Sequence, residues 1–246
     1  MKVPDETKQD SAQAAPMLFT GLEALDRMLG GIPEGSVIVL SGRPGSGVDI
    51  FAQQVLYSRV STDGVKALYF TIEHPIEDVA AEMFSRNWNV EQLVGEKKWE
   101  FFDAFTIRSN IRKGIAGPKV LLDALAAYHK KLERDVWSVL DTFSYYLMHY
   151  DVKEIMGYVD DIVSTAREIG GLHLLLTVEG MLDTQTITSL AHQTDGLWTF
   201  RLEPEQTEPV GTIRIEKLRR ADYVPRIISY RIFDEGLSIE TSTRIA

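Results

Sequence analysis

The run Val37-Ile38-Val39-Leu40-Ser41-Gly42-Arg43-Pro44-Gly45-Ser46-Gly47-Val48-Asp49 constrains the fold more than any other feature of this chain. Val37 to Ser41 has the apolar, β-branched texture of a buried strand, Gly42 to Gly47 supplies three glycines and a proline to turn it, and helical spacing continues from Val48 to Tyr57. Strand, glycine turn and helix in this order form a cradle in which backbone N–H groups converge on an anion and the helix N-terminus adds partial positive charge. A complete phosphate-binding loop continues with lysine, which reaches the terminal phosphates, and then serine or threonine, whose hydroxyl meets magnesium. Val48 and Asp49 stand in those places. The first removes a cation and the second adds an anion, so both weaken triphosphate binding. Two features can offset this: the guanidinium of Arg43 inside the loop, and the carboxylate of Asp49, which is able to ligate magnesium. A glycine loop kept only as a ligand-free turn accounts for the same residues.

The remaining chain predicts an α/β fold. Segments 67–70, 136–140 and 172–178 are apolar without alternation, as in parallel strands covered on both faces. Between them, Ile155, Val159, Ile162, Val163, Ala166 and Ile169 follow helical spacing to a stop at Gly170-Gly171, and 120–132 reads as a helix opened by Pro118. Beyond Asp195 the pattern becomes alternating strands at 197–202, 211–217, 227–233 and 237–239, which predict antiparallel additions to the sheet, with 203–209 as a surface loop. Residues 1–16 are polar and predict a loose tail, which leaves 17–246 as a single domain without internal repeats.

Composition narrows the function. Asp and Glu number 36 against 26 Lys and Arg, a net charge of −10, which opposes general attraction to nucleic acid or anionic membrane. The basic clusters are 108–113, which reads either as a loop facing the centre of a ring or as an ordinary surface feature, and 217–220. With no cysteine there is no thiol nucleophile, disulfide or cysteine metal site, which fits a reducing compartment. No apolar run reaches membrane-spanning length and the N-terminus lacks a signal-peptide pattern, so the expectation is a soluble cytoplasmic protein. The five histidines have no zinc spacing. His173, inside an apolar strand, reads as a hydrogen-bonded core residue, and Tyr145, Tyr146, Tyr150 and Trp88 read as packing residues in preference to base-stacking ones.

The entry to the glycine loop, Phe19-Thr20-Gly21-Leu22-Glu23-Ala24-Leu25-Asp26-Arg27-Met28-Leu29-Gly30-Gly31-Ile32-Pro33-Glu34-Gly35-Ser36, resembles that of the RecA-type core of KaiC-like proteins, a group that includes RadA paralogues. The order continues through Thr71-Ile72-Glu73-His74, Leu140-Asp141-Thr142, Thr177-Val178-Glu179-Gly180, Thr194-Asp195-Gly196 and Lys217-Leu218-Arg219-Arg220, so the resemblance covers about residues 18–240. It implies a RecA-like P-loop core of mostly parallel twisted sheet flanked by helices, with ATP and magnesium as cofactors and a homo-oligomer or a related RecA-fold subunit as partner. It also implies that Gly42, Arg43, Gly45, Ser46, Gly47, Val48 and Asp49 surround the nucleotide. Glu73 would activate the attacking water, Asp141 would meet magnesium, with Asp49 as a second candidate, and Lys217 and Arg219 would reach a neighbouring subunit's nucleotide. Without the resemblance, Asp141 at the carboxyl end of a buried strand is equally well a helix cap, and two charges spaced two apart are equally well a solvated sheet edge. His74 and Arg220 depart from the family pattern, which usually has glutamate and glycine there.

Three functions follow: a degenerate regulatory member of the group, a working ATPase with substitutes for the lost lysine, or a nucleic-acid accessory protein. The acidic balance opposes the third.

Overall fold

The computed structural model describes residues 15–203, 209–222 and 226–240. In chain order its elements are β1 (Met17–Leu18), α1 (Glu23–Leu29), β2 (Ile32–Pro33), β3 (Ser36–Gly42), α2 (Val48–Asp63), β4 (Lys66–Thr71), α3 (Ile76–Ser85), α4 (Val90–Gly95), β5 (Trp99–Asp103) and α5 (Ala104–Arg112). They continue with α6 (Lys119–His129), β6 (Val136–Asp141), α7 (Ser144–His149), α8 (Val152–Ile169), β7 (Leu172–Val178), α9 (Thr184–Gln193), β8 (Gly196–Glu203), β9 (Val210–Leu218), β10 (Ile227–Phe233) and β11 (Gly236–Ile239).

The main sheet runs β11-β10-β9-β8-β3-β7-β6-β4-β5. All pairings from β8 to β5 are parallel, whereas β9, β10 and β11 extend β8 as antiparallel strands. The mixed sheet expected from the change of pattern after Asp195 is therefore present. Alternation along β3 divides the core: Ile38 and Leu40 pack with Phe51, Val55 and Trp198 on the α2 face, while Val37 and Val39 pack with Phe70, Ile155 and Val159 on the α8 face. Both sets are almost wholly buried, which is why β3 carries no polar alternation to read.

The strong periodicities match their elements. Helix α8 starts at Asp151, whose carboxylate accepts from the amides of Lys153 and Glu154, and ends at Gly170. Helix α6 stops at His129, short of the expected 132, although Leu132 continues to bury apolar surface. The cluster 108–113, read either as a loop facing a ring's centre or as an ordinary surface feature, is the last part of α5 and its cap and not a loop, because Asp103 accepts from the Thr106 amide and opens a helix. His173 is a core residue, with Ser138 Oγ at 2.8 Å from Nδ1 and the Gly170 carbonyl at 3.0 Å from Nε2. Trp88 and Tyr146 are buried, and Tyr150 donates to the Pro118 carbonyl. Residues 1–14 of the expected tail and 204–208 of the expected loop lie outside the described residues.

Candidate functional site

Parallel strands open their carboxyl ends toward one edge, and a cleft forms where neighbouring connections leave in opposite directions. Here that edge gathers the glycine loop after β3, Glu73 and His74 after β4, Asp141 and Thr142 at the end of β6, and Thr177 and Val178 at the end of β7 around a cavity of about 350 Å³. Gly42, Arg43, Gly45, Val48 and Asp49 line it, and Glu82 on α3 closes one side. Ser46 and Gly47 lie behind this lining.

The loop has the conformation its glycines permit. Gly45 at φ +81° and Gly47 at φ +76° occupy the left-handed region, and the Ser46 amide donates to the Arg43 carbonyl at 2.9 Å. A Cβ at Gly45 would meet no protein atom, so this position opens to the cleft, whereas one at Gly47 would sit 2.6 Å from Ile232 Cδ1. Strand β10 thus supports the loop from behind, and the buried Tyr230 hydroxyl donates to the Ser46 carbonyl. Ser46 Oγ is buried without a partner in the protein.

The cleft's charges are mainly negative. Asp49, Glu73, Glu82 and Asp141 face Arg43 and His74. Asp141 is buried and accepts from Tyr69 Oη and from Thr142 Oγ1, each at 2.8 Å. Burial pushes its carboxyl above the ordinary carboxylate range; those two hydrogen bonds oppose the shift, and the charge of Asp49 adds to it. The Tyr69 phenol is likewise raised well above its usual value, first by burial and then by the Asp141 charge, and receives Gln53 Nε2 at 3.4 Å. Asp141 does not cap α7, whose N-terminus has no side-chain cap. Among the described residues, no three His, Asp or Glu side chains group as a metal cage.

Of the expected cations, Arg43 and Lys217 are engaged within the chain. Arg43, with its side chain 75% exposed, places Nε 3.3 Å from Glu179 Oε2, and Arg201 Nη2 lies 2.9 Å from Oε1 of the same carboxylate. Glu73 is 3.3 Å from Arg108 Nη1. Lys217 and Arg219 do not form a matched pair. Lys217 donates to the carbonyls of Ala191, His192 and Thr194 at the end of α9, while Arg219 lies exposed in the turn after β9. Burial, then the charge of Arg219, lowers the Lys217 ammonium below its usual pKa. Arg220 adopts φ +62°, which shows why glycine suits this position. Its guanidinium donates to the carbonyls of Glu34 and Gly35 and to Ser36 Oγ, and approaches the fully buried Asp195 within 3.7 Å.

Tyr69 and Gln53 complete the site and were not singled out by the sequence, whereas Arg108 stood there only within the basic cluster 108–113 and Glu179 only within the run 177–180. Tyr69 stands in an apolar strand, and only the register between β4 and β6, with Thr71 opposite Asp141, brings it diagonally within reach of that carboxylate.

A doubly covered parallel sheet with a glycine loop after its central strand and acidic residues on neighbouring strand ends defines a RecA-like P-loop protein. The family model described as "ATPase: KaiC" matches residues 18–244, and the chain belongs to that family. A UPF0273 protein of Aeropyrum pernix is 25% identical over 237 residues, covering 89% of this chain and 92% of its own length. A UPF0273 protein of Methanocaldococcus jannaschii is 39% identical over 89 residues, a match that spans 35% of this chain and 36% of that protein. The circadian clock oscillator protein KaiC of Thermosynechococcus vestitus is 29% identical over 100 residues, 40% of this chain and 19% of that protein. The crystal structure of a KaiC-like protein from Pyrococcus horikoshii shares the fold with a TM-score of 0.70 at 22% identity, covering 92% of this chain and 99% of that one. No helix among the described residues is long and apolar enough to cross a membrane.

Proposed function

We propose that this KaiC-family protein binds nucleotide weakly or not at all, hydrolyses little, and acts as a regulatory subunit through contacts with its own copies or with related RecA-fold subunits. The observation that carries this reading is the charge of the cleft: Val48 and Asp49 follow the glycine loop, and four carboxylates face one arginine and one histidine. The backbone of the loop suits an anion, but its side chains do not suit a magnesium triphosphate. Catalysis of phosphoryl transfer depends almost wholly on positioning and charge stabilisation, so an absent lysine removes orders of magnitude in rate. The ion pair of Arg43 with Glu179 and the seat of Lys217 on α9 support the same reading, since both cations are employed elsewhere.

A second reading, a working ATPase, draws support from the left-handed Gly45 and Gly47, which keep the loop's anion-binding shape. Titration calorimetry with ATP and magnesium separates the two. Weak or absent binding is expected for the natural chain. The V48K/D49T variant, which shifts the loop by two charge units, is expected to gain at least about a hundredfold, since each tenfold step needs only about 1.4 kcal/mol. Micromolar binding by the natural chain, with turnover above that of D141A, would refute the proposal. No gain on restoring lysine and threonine would mean that the cleft is sterically closed.

A further inference from the structure

The surface of α5 holds a second cavity, about 330 Å³, lined by Phe105, Arg108, Ser109, Arg112 and Lys113. Arg108 with Arg112, and Ser109 with Arg112 and Lys113, stand three or four residues apart and share one helix face. Arg112 and Lys113 are exposed, and among the described residues neither has an ion-pair partner. Three positive charges therefore meet a single carboxylate, Glu73, in a chain whose net charge is −10.

Arg108 is held but not saturated. Its side chain, 13% exposed, stacks on Phe105 and Tyr145 with ring centroids at 5.5 and 5.4 Å. Nη1 reaches the Glu73 carboxylate at 3.3 Å and Nη2 the Glu73 carbonyl at 3.4 Å, both long for a charge-assisted bond. Nε is buried with no acceptor in the protein. A buried N–H without a partner is costly, and an oxyanion entering the cavity supplies the acceptor after a small rotation of this loosely held head.

We propose that the α5 cavity is a second anion site, taking free phosphate or a phosphate monoester between Arg108, Ser109, Arg112 and Lys113, and that the bound anion competes with Glu73 for Arg108. The convergence of the cations on one cavity matches a compact dianion, and the acidic balance of the whole chain opposes a polymer backbone. Because Glu73 lines the main cleft and Arg108 lines this one, occupancy here frees Glu73 toward the cleft. The site stands whether or not nucleotide binds the glycine loop.

The test is a titration of the full chain with inorganic phosphate, followed by nitrogen-15 NMR at the Arg108 Nε–H and at the amides of 109–113. The Gly45 and Gly47 amides report separately on the glycine loop. A saturable shift of the Arg108 Nε–H is expected, weakened at least about tenfold in R112A/K113A and strengthened several-fold in E73Q, where the competitor has lost its charge. The site is refuted if no saturable shift appears, or if the shift persists undiminished in R112A/K113A. Unchanged affinity in E73Q refutes the competition. A single-stranded oligonucleotide that binds more tightly than phosphate, with steep salt dependence, overturns the assignment to a compact anion.

Discussion

Replacing Tyr69 with phenylalanine removes one oxygen from the interior and leaves the ring's packing in place. That oxygen donates to Asp141 Oδ2 at 2.8 Å and receives the longer contact from Gln53 Nε2 at 3.4 Å. A hydrogen bond to a charged partner contributes about 1.5–3 kcal/mol and the same bond to a neutral partner about 0.5–1.5 kcal/mol. The Gln53 contact, at the limit of bonding distance, adds little. Y69F should therefore cost about 2–3 kcal/mol near neutral pH, roughly a 4–12 °C fall in melting temperature for a chain of this size. The cost should depend on pH in a defined direction. Burial raises the Asp141 pKa above its ordinary value of 3.8, so Asp141 contributes stability that is fully present below that value and is lost as pH rises through the raised pKa. Acidification past the raised pKa makes the carboxyl neutral, and the Y69F penalty should fall by about half. Urea unfolding at neutral and acid pH measures both figures, and D141N completes a double-mutant cycle at neutral pH. A Y69F penalty unchanged by pH and equally large in the D141N background would refute a charge-assisted bond between these residues.

Other substitutions test the remaining contacts. Asp195 is fully buried, pairs with the partly exposed Arg167 and Arg220 and accepts the Val37 amide at 2.9 Å, so D195A should cost about 1–3 kcal/mol in chemical denaturation by leaving that buried amide without its acceptor. Burial depresses the His173 pKa from 6.5 to about 4, so its contribution is present above pH 6.5 and is lost as pH falls toward 4. Wild type should lose about 3 kcal/mol more than H173Q over that window, as measured by unfolding free energy against pH. K217M should cost about 1 kcal/mol by uncapping α9, and thermal melts of dilute, nucleotide-free protein should show it; an effect seen only with nucleotide would assign Lys217 to a subunit contact instead.

Where burial is nearly total, the strand was legible as an apolar run, as at β7 over 172–178, and where only one face is covered it was legible as alternation, as at β10 over 227–233. Edge strand β5 was not, because Trp99 alone of its residues is fully buried and Glu100 interrupts the run. The same limit applies to the site. Gly45, Gly47, Asp49 and Asp141 stand out as residue types in a motif, but the partners that decide their charge come from remote positions. Tyr69 reaches Asp141 only through strand register, Glu179 reaches Arg43 from the end of β7, and Lys217 reaches α9 across a bulge opposite Leu197 and Trp198. A linear pattern shows which groups carry charge, whereas the fold determines which of those charges remain free.

That distinction bears on how a phosphate loop stays folded without its lysine. An unliganded loop beside a buried carboxylate would carry two unpaired elements, the loop's own backbone and the acid at the end of β6. Here each has a protein partner: Tyr230 donates to the Ser46 carbonyl from β10, and Tyr69 and Thr142 donate to Asp141 from within the sheet. Tyr69 takes, in part, the stabilising role that a metal at Asp141 would otherwise fill, whereas Tyr230 braces the loop through its carbonyl side and does not replace an anion, which N–H groups would meet. Neither phenol ionises within the ordinary phenol range, because burial raises both hydroxyl pKa values, so the Tyr69 contribution varies only with the protonation of Asp141. If the cleft is self-satisfied in this way, restoring the loop's lysine and threonine alone should recover binding only partly, and adding Y69F to V48K/D49T should raise affinity for magnesium-ATP further by releasing Asp141 toward the metal. Equal affinities for the double and triple variants would show that Tyr69 does not restrain Asp141.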